Sequence, residues 1–241
     1  HGGHGAETYL QVVENSCNPG FVNLGFKLGK EKLFSYIDKF GFGKKTGIDL
    51  NGESSGIIFN LDKVGPVELA TTAFGQGVSV TPIQQITAVS AAINGGTLYK
   101  PYVVKSLNEP VTNTVVKQNE PTKVRTVISE ETSKKVREAL ESVVTNGTGR
   151  PAYIEGYRVG GKTGTAQKVQ NGRYMVGNYI VSFIGFLPAD DPEIIVYVAV
   201  DNAKGVTQYG GTIAAPIAKN VLTDAISILN IKKRNTTTEK K

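Results

Sequence analysis

Cysteine is almost absent from this 241-residue chain: Cys17 is the single one. An internal disulfide is therefore excluded. So low a count suits a reducing compartment or an exported protein that avoids thiols, and does not choose between them. No apolar run approaches the ~18 residues that would announce a membrane span, and no signal peptide opens the chain. The chain starts at His1-Gly-Gly-His4 rather than at methionine, which reads as a cut inside a longer protein. Acidic residues are outnumbered, giving a net charge of +6. That excess is concentrated at one end, where Lys232, Lys233, Arg234, Lys240 and Lys241 face only Glu239. The tail IKKRNTTTEKK (231–241) is polar and lacks periodicity, so it reads as a solvated, disordered segment. A nucleic-acid partner is not expected.

What is present suits one large domain, over residues 1–230. Hydrophobic content of 39% and charge of 20% are ordinary for a globular fold. The first third reads as short helices, Ala6 to Glu14 and Lys30 to Phe40, the latter with Leu33, Phe34 and Ile37 on one side. A turn-rich stretch, GFGKKTGIDLNGESSG, starts at Gly41. Thr81-Pro82-Ile83-Gln84 is a capping box with proline at the first helical position. It opens a helix that stops at Asn94-Gly95-Gly96. Ser129 caps the next helix, with Glu130 and Glu131 where the dipole favours anions, and Asn146-Gly147 ends it. Tyr179–Leu187 and Glu193–Val200 are β-branched and aromatic. The turn sequence Pro-Ala-Asp-Asp-Pro joins them into an antiparallel hairpin. Gly211 to Leu229 is a final amphipathic helix. Helices, a sheet and a closing helix make an α+β domain.

The densest chemistry lies at Gly160-Gly161-Lys162-Thr163-Gly164-Thr165, which admits three readings. Gly156 to Thr163 matches G-x-x-x-x-G-K-[ST], the phosphate-binding loop. That loop needs a helix starting at Lys162-Thr163, because the helix N-terminus holds the phosphate. Gly164 and the Asn171-Gly172 turn argue against one. The second reading is a strand-borne Lys-Thr-Gly, which offers positive potential, hydroxyls for a carboxylate, and backbone N–H groups. Gly164 there would let a substrate backbone lie close. The third is a glycine-rich strand opening without function. Lys45-Thr46-Gly47 repeats the tripeptide in the turn-rich stretch, with no strand after it, and reads as a decoy.

Upstream, Ser16-Cys17-Asn18 has the S-x-N form. Alone it is a weak signal, since Asn18-Pro19-Gly20 also reads as a helix end and turn. Together with Lys162-Thr-Gly it carries a resemblance. The run Tyr9 to Gly20 (YLQVVENSCNPG), the segment from Leu28 (LGKEKLFSYIDKFGFGKKTGIDLNGE), Phe74 to Pro82, Lys162 to Gln167, Ser182 to Phe186 and Tyr209-Gly-Gly-Thr212 resemble class B penicillin-binding proteins, in order. They are most like that family's sporulation branch.

The resemblance implies a transpeptidase fold, a five-stranded antiparallel sheet flanked by helices. It implies serine acyl transfer on the D-alanyl-D-alanine ends of peptidoglycan stem peptides, with β-lactams acylating the same serine. No metal or other cofactor is needed for that chemistry. By position, Ser16 would pass a proton to the leaving amine. Asn18 would bond the substrate amide, Lys162 would supply positive potential, and Thr163 and Thr165 would hold the terminal carboxylate. The Thr165 N–H would share the oxyanion hole with the nucleophile's own N–H.

One departure from the family is serious. No serine here is followed three residues later by lysine, so the family's S-x-x-K is missing. It is expected upstream, in the missing N-terminal part of the same domain. This chain alone is then expected to be inactive. The parent protein would sit on the extracytoplasmic face of the membrane behind an N-terminal anchor, with a glycosyltransferase as a candidate partner. A D,D-carboxypeptidase, a β-lactamase and a non-catalytic binding or sensor module are the alternatives.

His1, His4 and Cys17 fall within the first 17 residues. Imidazole and thiolate are ligands that zinc favours, and a structural site takes four. A fourth ligand would come from upstream. The competing readings are a small-residue loop for His-Gly-Gly-His, and for Cys17 a buried thiol or a pairing with an upstream cysteine.

Overall fold

The computed structural model describes residues 4–234. His1 and most of the basic tail, residues 235–241, lie outside the described residues. Three short helices come first: α1 (Tyr9–Glu14), α2 (Asn18–Leu28) and α3 (Lys30–Lys39). α1 is shorter than its periodicity suggests because Thr8 takes the cap. Thr8 accepts from the Gln11 N–H, and the Gln11 side chain accepts from the Thr8 N–H. α2 corrects the reading of Asn18-Pro19-Gly20 as a breaker. Proline in the first turn lacks only an N–H that would have had no helical partner, so here it opens a helix.

The turn-rich stretch leads to α4 (Pro66–Ala73), which the sequence pattern did not signal, and to α5 (Pro82–Ile93). α5 has the predicted box, with Thr81 and Gln84 bonded reciprocally. Four short strands come next. β1 (Thr97–Lys100) pairs antiparallel with β4 (Thr122–Thr126), and β2 (Ser106–Asn108) with β3 (Val115–Gln118). The Ser129-capped helix is α6 (Glu130–Asn146).

The main sheet is antiparallel, in the order β5 (Gly160–Gln170), β6 (Arg173–Leu187), β7 (Ile194–Asp201). The predicted hairpin is β6–β7, with Phe183 opposite Val198 and Phe186 opposite Ile195. Among the described residues this sheet has three strands, where the resemblance implies five. α7 (Gly210–Leu229) closes the fold. By length and composition α7 could cross a membrane, contrary to the expectation from apolar runs. It lies instead on the sheet, burying Ala214, Ala215, Ala218, Leu222 and Ile226 against Phe183 and Leu187. On the opposite face Phe186 packs with Ile93 and Ala189, beside Val89, Val136 and Leu140. The sheet is thus covered on both faces, and β5 is left as an edge among the described residues.

Gly160 and Gly161 make this packing possible. A Cβ on Gly160 would lie 2.3 Å from the Phe186 ring, and one on Gly161 would lie 2.4 Å from the Phe183 ring. Successive strand residues face opposite ways, so the pair admits one phenylalanine on each side. These two glycines therefore serve the core, and Lys162 follows them on β5.

Candidate active site

Lys162 and Thr163 lie inside a strand rather than at a helix start, which removes the phosphate-loop reading. The earlier copy, Lys45-Thr46-Gly47, sits in a loop. There the Thr46 N–H and hydroxyl and the Gly47 N–H all donate to the Glu53 carboxylate. Its polar groups are consumed in holding the loop closed.

Ser16 occupies the corner between α1 and α2. Its φ of 53° is left-handed, a region a non-glycine residue visits at some cost. The corner is fixed by the Cys17 N–H donating to the Val12 carbonyl at 3.0 Å. Lys162 reaches across to it: its Nζ donates to Ser16 Oγ and, at 3.1 Å, to the Thr163 carbonyl. Lys162 has no carboxylate partner in the ion pairs of the described residues. Burial lowers its pKa from 10.5 to about 8. Asn18 opens α2 two residues beyond Ser16 and is exposed.

Thr163 and Thr165 share the opposite face of β5 from Lys162. The Thr163 hydroxyl lies 2.9 Å from that of Thr148, in the loop after α6. The Thr165 hydroxyl accepts from the Gly210 N–H at 3.2 Å, at the start of α7. Between them Gly164 meets Gly210 so closely that a Cβ on Gly210 would lie 2.5 Å from the Gly164 carbonyl. Ser16 therefore meets the stretch Lys162-Thr163-Gly164-Thr165 of β5 through Lys162, and Asn18 lies two residues beyond Ser16. Beside Thr165 opens a cavity of about 320 Å³, lined by Tyr179, Val206, Thr207, Gln208 and Tyr209. The sequence patterns gave no reason to group those residues, because two separate segments, β6 and the stretch before α7, supply them.

The metal candidates divide. His1 is outside the described residues. The His4 and Cys17 ligand atoms lie within 4.8 Å of each other and of a third group, Glu7. Glu7 was not foreseen, since its partners only come together when α1 folds back on the chain before it. A hydrogen bond from the Cys17 thiol, then one from Asn15, holds the Glu7 carboxyl below the usual range; the same carboxylate raises the thiol.

Residues 1–223 match the family model "Penicillin binding protein transpeptidase domain". The chain is 67% identical, over 100% of its length, to stage V sporulation protein D of Bacillus subtilis, and covers 37% of that protein. It is 32% identical to the probable peptidoglycan D,D-transpeptidase PenA of Neisseria meningitidis, with 91% of this chain and 36% of that protein aligned. The chain thus spans little more than a third of these curated relatives. Among solved structures, penicillin-binding protein 3 of Mycobacterium tuberculosis with ampicillin superposes with a TM-score of 0.86 at 29% identity, over 96% of this chain and 53% of that one. The transpeptidase domain of Burkholderia pseudomallei penicillin-binding protein 3 gives 0.85 at 29% identity, over 97% and 68%. The matched span takes in both motifs and most of α7, and the chain belongs to the penicillin-binding protein transpeptidase domain family.

Proposed function

We propose that this chain supplies the substrate-binding half of a peptidoglycan D,D-transpeptidase that cross-links cell wall during sporulation. The observation that carries this reading is the Lys162–Ser16 contact beside a strand edge left unpaired among the described residues. An extended D-alanyl-D-alanine stem can add to the outer edge of β5. Thr163 and Thr165 then meet its terminal carboxylate, within the positive potential of Lys162. Asn18 bonds a substrate amide. The Thr165 N–H and the nucleophile's N–H stabilise the oxyanion. The nucleophilic serine and its lysine lie in the part of the domain upstream of this chain. Its oxygen attacks the penultimate D-alanine carbonyl, and Ser16, backed by Lys162, delivers a proton to the departing D-alanine amine. A second stem's amine then attacks the ester and releases the serine. β-Lactams take the same path as far as the acyl-enzyme. The parent works outside the membrane on an N-terminal anchor, beside a glycosyltransferase.

Support comes from the names of relatives: a stage V sporulation protein, a probable D,D-transpeptidase, and a fold neighbour bound to ampicillin. The test is fluorescent-penicillin labelling of the full-length protein, with this chain alone beside it. Covalent labelling of the former and none of the latter is expected. An unlabelled full-length protein would favour the non-catalytic module. With paired stem peptides as substrate, free D-alanine without cross-linked dimer would indicate a carboxypeptidase instead.

A structural zinc is proposed on one observation, the convergence of His4, Glu7 and Cys17. Metal analysis of the purified full-length protein should give zinc, reduced in Cys17→Ser; equal content in both would exclude Cys17 as a ligand.

A further inference from the structure

Thr148 lies in none of the family motifs, yet it touches both the Ser16 corner and the Lys162 strand. It sits after α6 in the turn Asn146-Gly147-Thr148-Gly149. Its backbone N–H donates to the Glu14 carbonyl at 3.0 Å, two residues before Ser16. Its hydroxyl lies 3.2 Å from the same carbonyl and 2.9 Å from the Thr163 hydroxyl. The turn is held tightly on both sides. A Cβ on Gly147 would lie 2.4 Å from the Glu14 carbonyl oxygen, and one on Gly211 would lie 2.7 Å from the Thr148 carbonyl oxygen. The Glu14 carboxylate also accepts from Ser142 of α6. Thr148 is thus a bridge between the backbone that carries Ser16 and the second residue of Lys162-Thr163-Gly164.

Counting protons shows what the bridge can do. A hydroxyl has one proton and two lone pairs. If Thr148 donates to Glu14, it must accept the Thr163 proton, and Thr163 then has none for a ligand. If Thr148 instead donates to Thr163, the Thr163 proton is free to point at a carboxylate. The Glu14 carbonyl loses nothing essential in that switch, because the Thr148 N–H still serves it. No atom other than the hydroxyl hydrogens has to move.

We infer that Thr148 is a positioning residue that turns the Thr163 hydroxyl into a donor for the ligand's carboxylate, while tying that donor to the Ser16 corner. The inference rests on the transpeptidase reading. It concerns capture of the carboxylate, so its signature differs from that of a residue that only supports the fold.

The test uses the full-length protein and acylation by penicillin, measured as the second-order rate constant. Three forms are compared: wild type, Thr148→Val, which keeps the β-branch and removes the hydroxyl, and Thr148→Ser, which keeps the hydroxyl. Thr148→Val should acylate roughly ten- to hundredfold more slowly, the scale of one hydrogen bond to a charged group. The loss should lie in the binding term, and Thr148→Ser should recover to within about threefold of wild type. A penicillin methyl ester, lacking the carboxylate charge, should react with wild type and Thr148→Val at the same rate. An equal loss on ester and free acid, or no loss on either, would overturn the inference. Should Thr148→Val fail to fold, Thr148→Ala replaces it, assayed alone and combined with Thr163→Val; additive losses in that cycle would count against the bridge. A wild type that penicillin does not acylate would overturn the transpeptidase reading itself, and this inference with it.

Discussion

Lys162 Nζ donates a hydrogen bond to Ser16 Oγ across 146 residues of sequence, joining the edge strand of the sheet to the corner between the first two helices. The pairing is unusual for a lysine in having no carboxylate opposite among the described residues. Its charge is balanced there by dipoles alone, and burial lowers its pKa to about 8.

That shift gives a pH prediction with two signs. In the unfolded chain Lys162 holds its proton up to 10.5, in the folded protein only up to about 8. Between those values the unfolded state binds more protons, so stability should rise with pH across the window. Below about 8 the cost of burying the charge is present in full. Under the proposed function, penicillin acylation of the full-length protein should run the other way, falling as pH passes about 8 and the positive potential is lost. Acylation rate and denaturation midpoint, measured over the same pH series, check both. A rate that rises in step with stability would deny Lys162 this role.

Removing either partner should be costly in different steps. Lys162→Ala should slow acylation mainly by weakening carboxylate capture. Ser16→Ala should leave capture nearly intact and slow departure of the amine, by about 10²–10⁴, the usual contribution of a positioned proton donor. Acylation kinetics that separate binding from chemistry distinguish the two. Equal losses in the binding term for both variants would show Ser16 acting only as a ligand for Lys162.

Gly161 is predicted to be intolerant for reasons of packing rather than chemistry. Gly161→Ala sets a Cβ 2.4 Å from Phe183, whose ring is fully buried beneath α7, and 2.7 Å from the Ile184 carbonyl. Overpacking of this kind typically costs about 1–3 kcal/mol. The denaturation midpoint of the variant should fall accordingly. A midpoint equal to wild type would mean that the sheet can shift to accept the methyl.

The order of elements is readable because their end signals are local. Thr81 with Gln84, and Ser129 before Glu130, cap helices through contacts three residues apart, and β6 and β7 announce themselves by β-branched runs. The start of α2 is ambiguous for the same reason. Proline after asparagine is both a turn former and a helix opener, and only the packing of residues 21–28 decides between them. Ser16 and Lys162 can be named from motifs, but nothing local says that they touch. Thr148, Glu7 and the Tyr179–Tyr209 cavity are out of reach of pattern. Thr148 and the cavity depend on segments brought together at β5 and the start of α7, and Glu7 on α1 folding back on the chain before it; a threonine in a turn or a glutamate before a short helix has no pattern of its own. The fourth and fifth strands implied by the resemblance have no counterpart in the main sheet among the described residues, since likeness to a family speaks of a whole domain while hydrogen bonds exist only between strands that are present.

The duplicate Lys45-Thr46-Gly47 offers a last separation of motif from site. Here the threonine and glycine turn inward to Glu53 rather than outward to a ligand. Burial raises the Glu53 pKa, but hydrogen bonds from the Thr46 side chain, the Thr46 N–H and the Gly47 N–H outweigh it, and the net shift is downward. A lowered carboxyl stabilises the fold above its unfolded pKa, and that contribution is lost as pH falls through the folded value. Glu53→Gln removes the charge and leaves one oxygen for three donors. The expected cost is about 1–2 kcal/mol at neutral pH, shrinking in acid, where the native carboxylate is itself protonated. Penicillin acylation of the folded full-length variant should match wild type, because among the described residues no hydrogen bond or ion pair joins this loop to Ser16 or Lys162. A drop in acylation with unchanged stability would reverse the assignment, making the first Lys-Thr-Gly part of the site and Glu53 its support.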